Sequence, residues 1–233
     1  MLELFGITFY WYGLLIGLGV WVAMEISLAN RGKTEVVVLE KAIMWTVFSG
    51  VIGARLYHVI DFWSRIYSTN FERVFYLWDG GLGIWGAVIG GLIGLLIYCL
   101  FNKLKYWQLL DSLVIGVPLA QAIGRIGNLI NGELIGKNGE PLWAYEGILN
   151  LILFGVLWKI SRKTQNVGFA SGVYFLGYGV IRIGLEGIRP NNAIWAAWGV
   201  PMAVIIGIFS CLAGIYLLVF YKLPTKSKYS TGA

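Results

Sequence analysis

Seven long apolar segments constrain what this chain can fold into more than any other feature of its sequence. They lie near residues 9–29, 38–60, 82–101, 108–128, 143–161, 168–188 and 198–221. An α-helix of about 20 residues crosses about 30 Å of hydrocarbon, and each segment is close to that length. A helix also satisfies its backbone hydrogen bonds within the segment, as a lipid environment requires. The sequence therefore predicts an all-α integral membrane protein with about seven transmembrane helices.

The charged residues agree with this prediction and indicate an orientation. Charged residues make up 13% of the chain, about half the share in soluble domains, ~25%. The net charge of +6 does not indicate a nucleic-acid partner, because most Lys and Arg lie in short clusters between apolar segments. The connections on one side contain eleven basic residues and those on the other side four. Because basic residues concentrate on the cytoplasmic side, we expect the N-terminus outside and the C-terminus in the cytoplasm.

The connections and composition predict one polytopic membrane domain over residues 1–233. The outer connection 61–81 is rich in aromatic side chains, which favour the headgroup region, so we expect an interfacial arm there. We expect residues 222–233 to form a short cytoplasmic tail. Four glycines of the third segment, at three- and four-residue spacings, predict close helix packing: Gly86, Gly90, Gly91 and Gly94. One histidine and two separated cysteines indicate no metal site, and no organic cofactor is expected.

The stretch from Gly124 to Gly136 combines polar side chains with glycines at the end of an apolar segment. Arg125, Asn128 and Asn131 advance by three and share one helical face, while the glycines allow a ligand to come close. One interpretation is a structural ion pair between Arg125 and Glu133. The two amides and the glycines exceed what an ion pair needs, so we favour a ligand site.

The sixth segment carries a second polar face made of Tyr178, Arg182, Glu186 and Arg189. The steps of four, four and three place them on one side of a helix. An Arg-Glu-Arg ladder that only holds helices together is one interpretation. In the predicted orientation this face and the Gly124 stretch approach the same leaflet. Two arginine-bearing walls suit a phosphate ligand, since guanidinium groups donate in pairs and remain charged when buried.

These stretches resemble the motifs of bacterial prolipoprotein diacylglyceryl transferases. The first matches that family's Gly-Arg-x-Gly-Asn-Phe-x-Asn-x-Glu run ending in Gly, with Leu129 in place of Phe, and the second matches its late Tyr-Gly-x-x-Arg-x-x-x-Glu-x-x-Arg pattern. Shorter matches follow in order, and the resemblance extends from Tyr12 to about Asn191: Trp11-Tyr12-Gly13-Leu14, Gly53-Ala54-Arg55-Leu56, Trp78-Asp79-Gly80-Gly81 and Tyr145-Glu146.

The resemblance implies a membrane enzyme of lipoprotein maturation. The family moves the diacylglyceryl group of phosphatidylglycerol to the lipobox cysteine of a prolipoprotein and releases glycerol phosphate. The expected location is the bacterial inner membrane, with the active site toward the outer leaflet and no nucleic-acid partner. Two departures limit what transfers from the family: Trp85 stands where many members have a histidine, and the segment after Gly136 is shorter than the usual outer loop.

The reaction suggests roles for the polar residues. Arg125 and Arg182 would stabilise the phosphate as the C–O bond breaks. Glu133 is the leading candidate to accept the thiol proton, with Glu186 second. The other expected substrate-binding residues hold the headgroup or orient these groups: Asn128, Asn131, Gly136, Tyr12, Tyr178, Glu186 and Arg189.

Two other functions fit part of the sequence. A phospholipid transporter or scramblase would use the same arginine-lined pocket but leave the lipid intact. A structural subunit would use its buried charges only to pair with one another. Neither explains the ordered series of motifs, so we favour the transferase.

Overall fold

The computed structural model describes residues 2–4, 7–9, 11–30, 32, 34–163, 166–190, 196–197 and 200–219. The expected cytoplasmic tail, 222–233, lies outside these residues. The described chain is helical apart from two short antiparallel hairpins. One hairpin pairs β1 (Leu2–Leu4) with β2 (Ile7–Phe9), and the other pairs β3 (Ala196–Ala197) with β4 (Val200–Pro201).

Eight α-helices carry the fold of the described residues. They are α1 (Trp11–Ala29), α2 (Val36–Asp61), α3 (Ile84–Phe101), α4 (Tyr106–Val114), α5 (Val117–Asn131), α6 (Leu142–Ser161), α7 (Phe169–Glu186) and α8 (Met202–Val219). Between α2 and α3 the chain forms a π-helical turn, Trp63–Tyr67, and two 3-10 turns, Phe71–Phe75 and Leu77–Asp79. Most helix bounds lie within a few residues of the predicted segments.

Five helices of the described chain are long and apolar enough to cross a membrane: α1, α2, α3, α6 and α8. The bent pair α4 and α5 raises this number to six if the two form one span. The helix of the sixth predicted segment, α7, is not in this group, because Arg182 and Glu186 within its 18 residues reduce its apolar character. The described residues thus form a largely helical fold with the several long apolar helices of a multi-pass membrane protein.

The fourth predicted segment, 108–128, differs from the single straight helix that its composition suggests. It is two helices, α4 and α5, bent by 42° at their junction. Pro118 lies in the first turn of α5, where a missing N–H is tolerated, and it cannot continue a preceding helix. At the junction Gly116 packs against the backbone of Ala23, and a Cβ there would come within 2.5 Å of the Ala23 carbonyl oxygen.

The chain divides into two compact units, and the first contains Met1–Gly32 and Leu110–Ala233. Within it α1 packs on α5, α5 on α6, α6 on α7 and α7 on α8. Asp111 fixes the start of α7, because its two carboxylate oxygens accept the N–H groups of Gly168 and Ser171 at 2.6 and 2.7 Å. A carboxylate at a helix N-terminus is favoured by the exposed N–H groups there.

The second unit, Lys33–Leu109, consists of α2, α3 and the turns that join them. The predicted glycine packing of α3 is confirmed: a Cβ at Gly86 would collide with the carbonyl oxygen of Gly53 on α2, and one at Gly90 would lie 2.5 Å from that of Ser49. Glycines at such crossings let two helix backbones come into contact.

Arg55 organises the connection between α2 and α3. Its side chain is buried, and its guanidinium donates to five backbone carbonyls of that connection: those of Arg73, Val74, Tyr76, Gly80 and Gly81. All N–H directions of the guanidinium fork are thereby used. Arg55, the arginine of the Gly53-Ala54-Arg55-Leu56 motif, therefore shapes the 61–81 arm.

Candidate functional site

Just beyond the end of α5 the chain turns, so that Glu133 of the Gly124–Gly136 stretch lies back against the helix. Gly132 adopts a left-handed conformation, φ 67°, and the N–H of Glu133 donates to the Asn128 carbonyl at 2.8 Å. This arrangement closes many helix C-termini, and glycine adopts it without steric cost. The carboxylate of Glu133 then accepts the side-chain N–H groups of Asn128 and Asn131 at 3.1 and 3.3 Å.

Arg125 is held by two acceptors from two helices. Its Nη1 donates to Asn128 Oδ1 at 2.9 Å, and its Nη2 donates to Oε1 of Glu146 on α6 at 2.5 Å. Glu146 is 3% exposed and Arg125 26%. In the described structure the carboxylate partner of Arg125 is therefore Glu146, and not Glu133 as in the structural ion pair that we considered from the sequence.

Arg182 reaches the same carboxylate from α7. Its Nη1 lies 4.0 Å from Glu146 Oε2, and its side chain is 14% exposed. One carboxylate of α6 thus faces two guanidinium groups, one from α5 and one from α7. We call Arg125, Glu146 and Arg182 the charged layer.

A second ion pair lies at the end of α7. Arg189 Nε is 3.7 Å from Glu186 Oε2. The helix ends at Glu186, so Arg189 lies just beyond the helix that the spacing placed it on. Three arginines thus face two nearly buried carboxylates, Glu146 and Glu186, and Glu133 adds a third carboxylate that is bonded to Asn128.

The two tyrosines of the predicted site are positioned by their neighbours. The ring of Tyr12, at the start of α1, lies against Gly127, where a Cβ would be 2.6 Å from Tyr12 Cδ2. This contact explains why the motif has glycine at that position. The Tyr178 ring stacks on Tyr174, one turn earlier on α7, with centroids 6.0 Å apart.

Gly136 lies in the loop between α5 and α6. Its N–H donates to the Glu140 carbonyl at 2.8 Å, and the next N–H, of Lys137, donates to the Ile188 carbonyl at 2.9 Å. The backbone N–H of Asn138 holds the pKa of the Glu140 carboxyl below its usual value. In the described part of the chain these contacts fix the short loop against the end of α7, and none of them joins Gly136 to the charged layer.

Several buried polar atoms of this unit have no hydrogen-bond partner in the described structure. They are Gln121 Oε1, Arg125 Nε, Glu146 Oε2, Glu186 Oε2 and both side-chain polar atoms of Asn150. Buried polar groups are normally bonded, so such a concentration indicates a place where a polar ligand or solvent enters. Within the described residues, no three His, Cys, Asp or Glu side chains are grouped to hold a metal ion.

The sequence-based site omitted two residues of α6. Glu146 was noted only as part of a short motif, yet it links both arginines, and Asn150 was not singled out although it is 1% exposed. A signal was available: Glu146 and Asn150 are four residues apart, on one face of an otherwise apolar helix.

The second unit contains a cavity of about 230 Å³, lined by Arg55, His58, Ile66, Tyr67, Arg73, Gly80 and Gly81. Its polar groups are largely occupied. Arg55 donates hydrogen bonds to backbone carbonyls, and His58 Nδ1 forms a hydrogen bond with the Tyr67 hydroxyl at 2.9 Å. We interpret these contacts as support for the 61–81 arm.

The fold and the site together define a multi-pass membrane protein with an arginine-rich polar site between its helices. The family model for prolipoprotein diacylglyceryl transferase matches residues 1–220. The chain belongs to this family.

Relatives from several bacteria match over at least 90% of their length. A phosphatidylglycerol-prolipoprotein diacylglyceryl transferase of Clostridioides difficile is 32% identical, with 98% of this chain and 97% of the relative aligned. Proteins with the same name from Bordetella parapertussis and Trichormus variabilis are 32% and 30% identical, over 94% and 96% of this chain and 93% and 90% of theirs.

Proposed function

We propose that this site performs the reaction named for the family, transferring the diacylglyceryl group of phosphatidylglycerol to the lipobox cysteine of a prolipoprotein. The observation that carries the proposal is the charged layer, in which two guanidinium groups from different helices share one nearly buried carboxylate. Within the charged layer two guanidinium groups face one carboxylate, and fixed positive groups of this kind stabilise the charge that develops on a phosphate leaving group.

The bond changes define what the residues must do. The cysteine sulfur bonds to the terminal glycerol carbon of the diacylglyceryl group, and the C–O bond to the phosphate breaks. The bonding pair leaves on the phosphate oxygen, so glycerol phosphate departs with added negative charge. Arg125 and Arg182 oppose that charge. Asn128 orients Arg125, since it accepts one of its N–H groups.

The thiol proton must pass to a base that the peptide can reach. Glu133 is exposed at the end of α5, whereas Glu186 is nearly buried beside Arg189. Exposure therefore supports Glu133 as the acceptor, with Asn131 and Asn128 holding its two oxygens. Tyr12, Tyr178, Gly136, Glu186 and Arg189 complete the proposed substrate-binding set.

The orientation follows from the same proposal. One polytopic domain would contain seven spans, with the bent α4–α5 pair as the fourth and α7 as the sixth. The N-terminus would lie outside and the C-terminus in the cytoplasm. The charged layer, near the ends of α5 and α7 and the start of α6, would then open toward the outer leaflet of the bacterial inner membrane. We expect the aromatic arm, 61–81, to lie along the membrane surface.

The test is an assay of the full-length protein in detergent with phosphatidylglycerol and a synthetic lipobox peptide, scored by mass spectrometry. We expect the peptide to gain one diacylglyceryl group, and to gain none when its cysteine is alkylated. Arg125→Ala and Arg182→Ala should each reduce the rate about 10²- to 10³-fold, the usual effect of removing a group that stabilises developing charge. The matched control is Arg162→Ala, which removes an exposed arginine that stacks on Trp158. Near-parental transfer by either site variant would contradict the assignment.

A further inference from the structure

A second set of polar side chains lies deeper than the charged layer on the same three helices, one helical turn beyond Arg125 on α5 and Glu146 on α6 and two turns beyond Arg182 on α7. Gln121 precedes the arginine of α5 by four residues, Asn150 follows the glutamate of α6 by four, and Tyr174 precedes Tyr178 by four on α7. Residues four apart share a face and differ in height by about 6 Å. Because α6 runs opposite to α5 and α7 in the proposed orientation, all three steps lead in the same direction, toward the membrane centre. We call Gln121, Asn150 and Tyr174 the deep polar layer.

Contacts connect this layer across the helices and to the site above it. Gln121 Nε2 donates to the Tyr174 hydroxyl at 3.2 Å and so joins α5 to α7. The Tyr174 ring stacks on Tyr178, which belongs to the polar face of α7. Behind the layer, Gly177 of α7 allows close packing of Leu153 from α6, since a Cβ there would be 2.5 Å from Leu153 Cδ1.

Asn150 is the member that helix packing does not explain. It is 1% exposed, and neither its Nδ2 nor its Oδ1 has a hydrogen-bond partner in the described structure. Gln121 Oε1 is also buried and has no hydrogen-bond partner in the described structure. A polar layer that only held helices together would pair its members with one another, because an unbonded buried amide is costly. The amide of Asn150 is therefore available to bond a polar ligand.

We propose that the deep polar layer binds the ester carbonyls of the diacylglyceryl group, an assignment that rests on the function proposed above. In a phospholipid the two ester carbonyls follow the phosphate by a few bonds, on the side of the acyl chains. A phosphate held at the charged layer places them about one helical turn deeper.

The donors of the layer match this ligand. Ester carbonyls only accept hydrogen bonds. Asn150 offers its amide N–H groups, and the Tyr174 hydroxyl, which already accepts from Gln121, has its own hydrogen to donate. The subsite would make the enzyme sensitive to the linkage between glycerol and the chains, which lies away from the bond that breaks.

The experiment compares two donor lipids in the full-length protein: ester-linked phosphatidylglycerol, and its ether-linked analogue with the same chains but no carbonyls. Transfer to a lipobox peptide is measured in mixed micelles at several lipid concentrations. Losing a hydrogen bond to a buried donor corresponds to about tenfold in binding, so we expect kcat/KM to favour the ester lipid by about tenfold or more. In Asn150→Leu the preference should fall to about twofold through loss on the ester lipid alone. The control Asn102→Leu, at the exposed end of α3, should retain it.

Each outcome bears on the proposal. Equal use of both lipids by the parent protein overturns it without any variant, and so does an unchanged ester preference in Asn150→Leu. If that variant does not fold, Tyr174→Phe, which keeps the ring stack and removes only the hydroxyl, takes its place with the same expected loss. A parent protein that transfers from neither lipid would instead overturn the proposed function.

Discussion

Glu146→Gln is the most informative single change in the site, because it removes one charge and almost no volume. Glutamine can still accept the N–H of Arg125, but it leaves two guanidinium groups without their shared counter-charge. Removing one partner of a buried ion pair costs about 3–5 kcal/mol. Since Arg125 is 26% exposed and partly hydrated, we take the lower end, about 3 kcal/mol.

This energy predicts a particular kinetic pattern. About 3 kcal/mol corresponds to roughly a 100-fold change. The arginines would lose their fixed positions but keep their charge, so we expect kcat to fall about 100-fold while KM for phosphatidylglycerol changes by less than about threefold. Glu146 would then be a positioning residue. Glu146→Asp keeps the charge and should recover part of kcat.

The measurement is steady-state transfer to the lipobox peptide, with thermal unfolding of each variant in the same detergent. Glu25→Gln, which neutralises an exposed carboxylate on α1, is the matched control and should behave as the parent. A Glu146→Gln protein that keeps the parental kcat would show that the carboxylate does not hold the arginines. A rise in KM with unchanged kcat would assign Glu146 to lipid binding instead.

Three further predictions test how the fold supports the site. Gly127→Ala should displace the Tyr12 ring, destabilise the protein by about 1–3 kcal/mol and reduce transfer. The control is Gly124→Ala, where no atom lies within 4 Å of the added Cβ, and it should change neither transfer nor the melting temperature. Asp111→Asn should weaken the N-terminal cap of α7 by about 1–2 kcal/mol and lower the melting temperature, while KM stays within about twofold. An unchanged melting temperature would show that Asp111 does not stabilise the start of α7. Arg55→Lys leaves at least two of the five backbone carbonyls without a donor, so the rate of amide hydrogen exchange in residues 73–81 should rise about 30-fold, which corresponds to about 2 kcal/mol. An exchange rate equal to that of the parent would refute the role of Arg55 in the arm.

The helices were predictable because one physical requirement determines them. A segment that crosses hydrocarbon must be apolar, about 20 residues long and internally hydrogen-bonded, and these properties are visible in the sequence. The close packing of α2 and α3 was predictable for a similar reason, since a row of glycines such as Gly86 and Gly90 has few other uses in a span.

The bend between α4 and α5 was not predicted, although its residues were visible. Hydropathy averages over a segment, and the apolar residues around the junction conceal the break. Pro118 prevents the preceding turn from continuing as a regular helix, and Gly116 allows contact with Ala23. The sequence shows that these residues weaken the helix, but the direction and size of the bend depend on packing against α1, which is a tertiary property.

The carboxylate partner of Arg125 shows where reading the chain in order loses information. Glu133 was the nearest carboxylate in the motif, so a local pairing with Arg125 was the natural alternative to a ligand site. The left-handed turn at Gly132 instead directs Glu133 toward the amides of Asn128 and Asn131. Arg125 is then paired by α6, which supplies Glu146 from 21 residues further along the chain. Single-helix periodicity identifies which polar residues share a face, but a pairing between faces requires the helix packing itself.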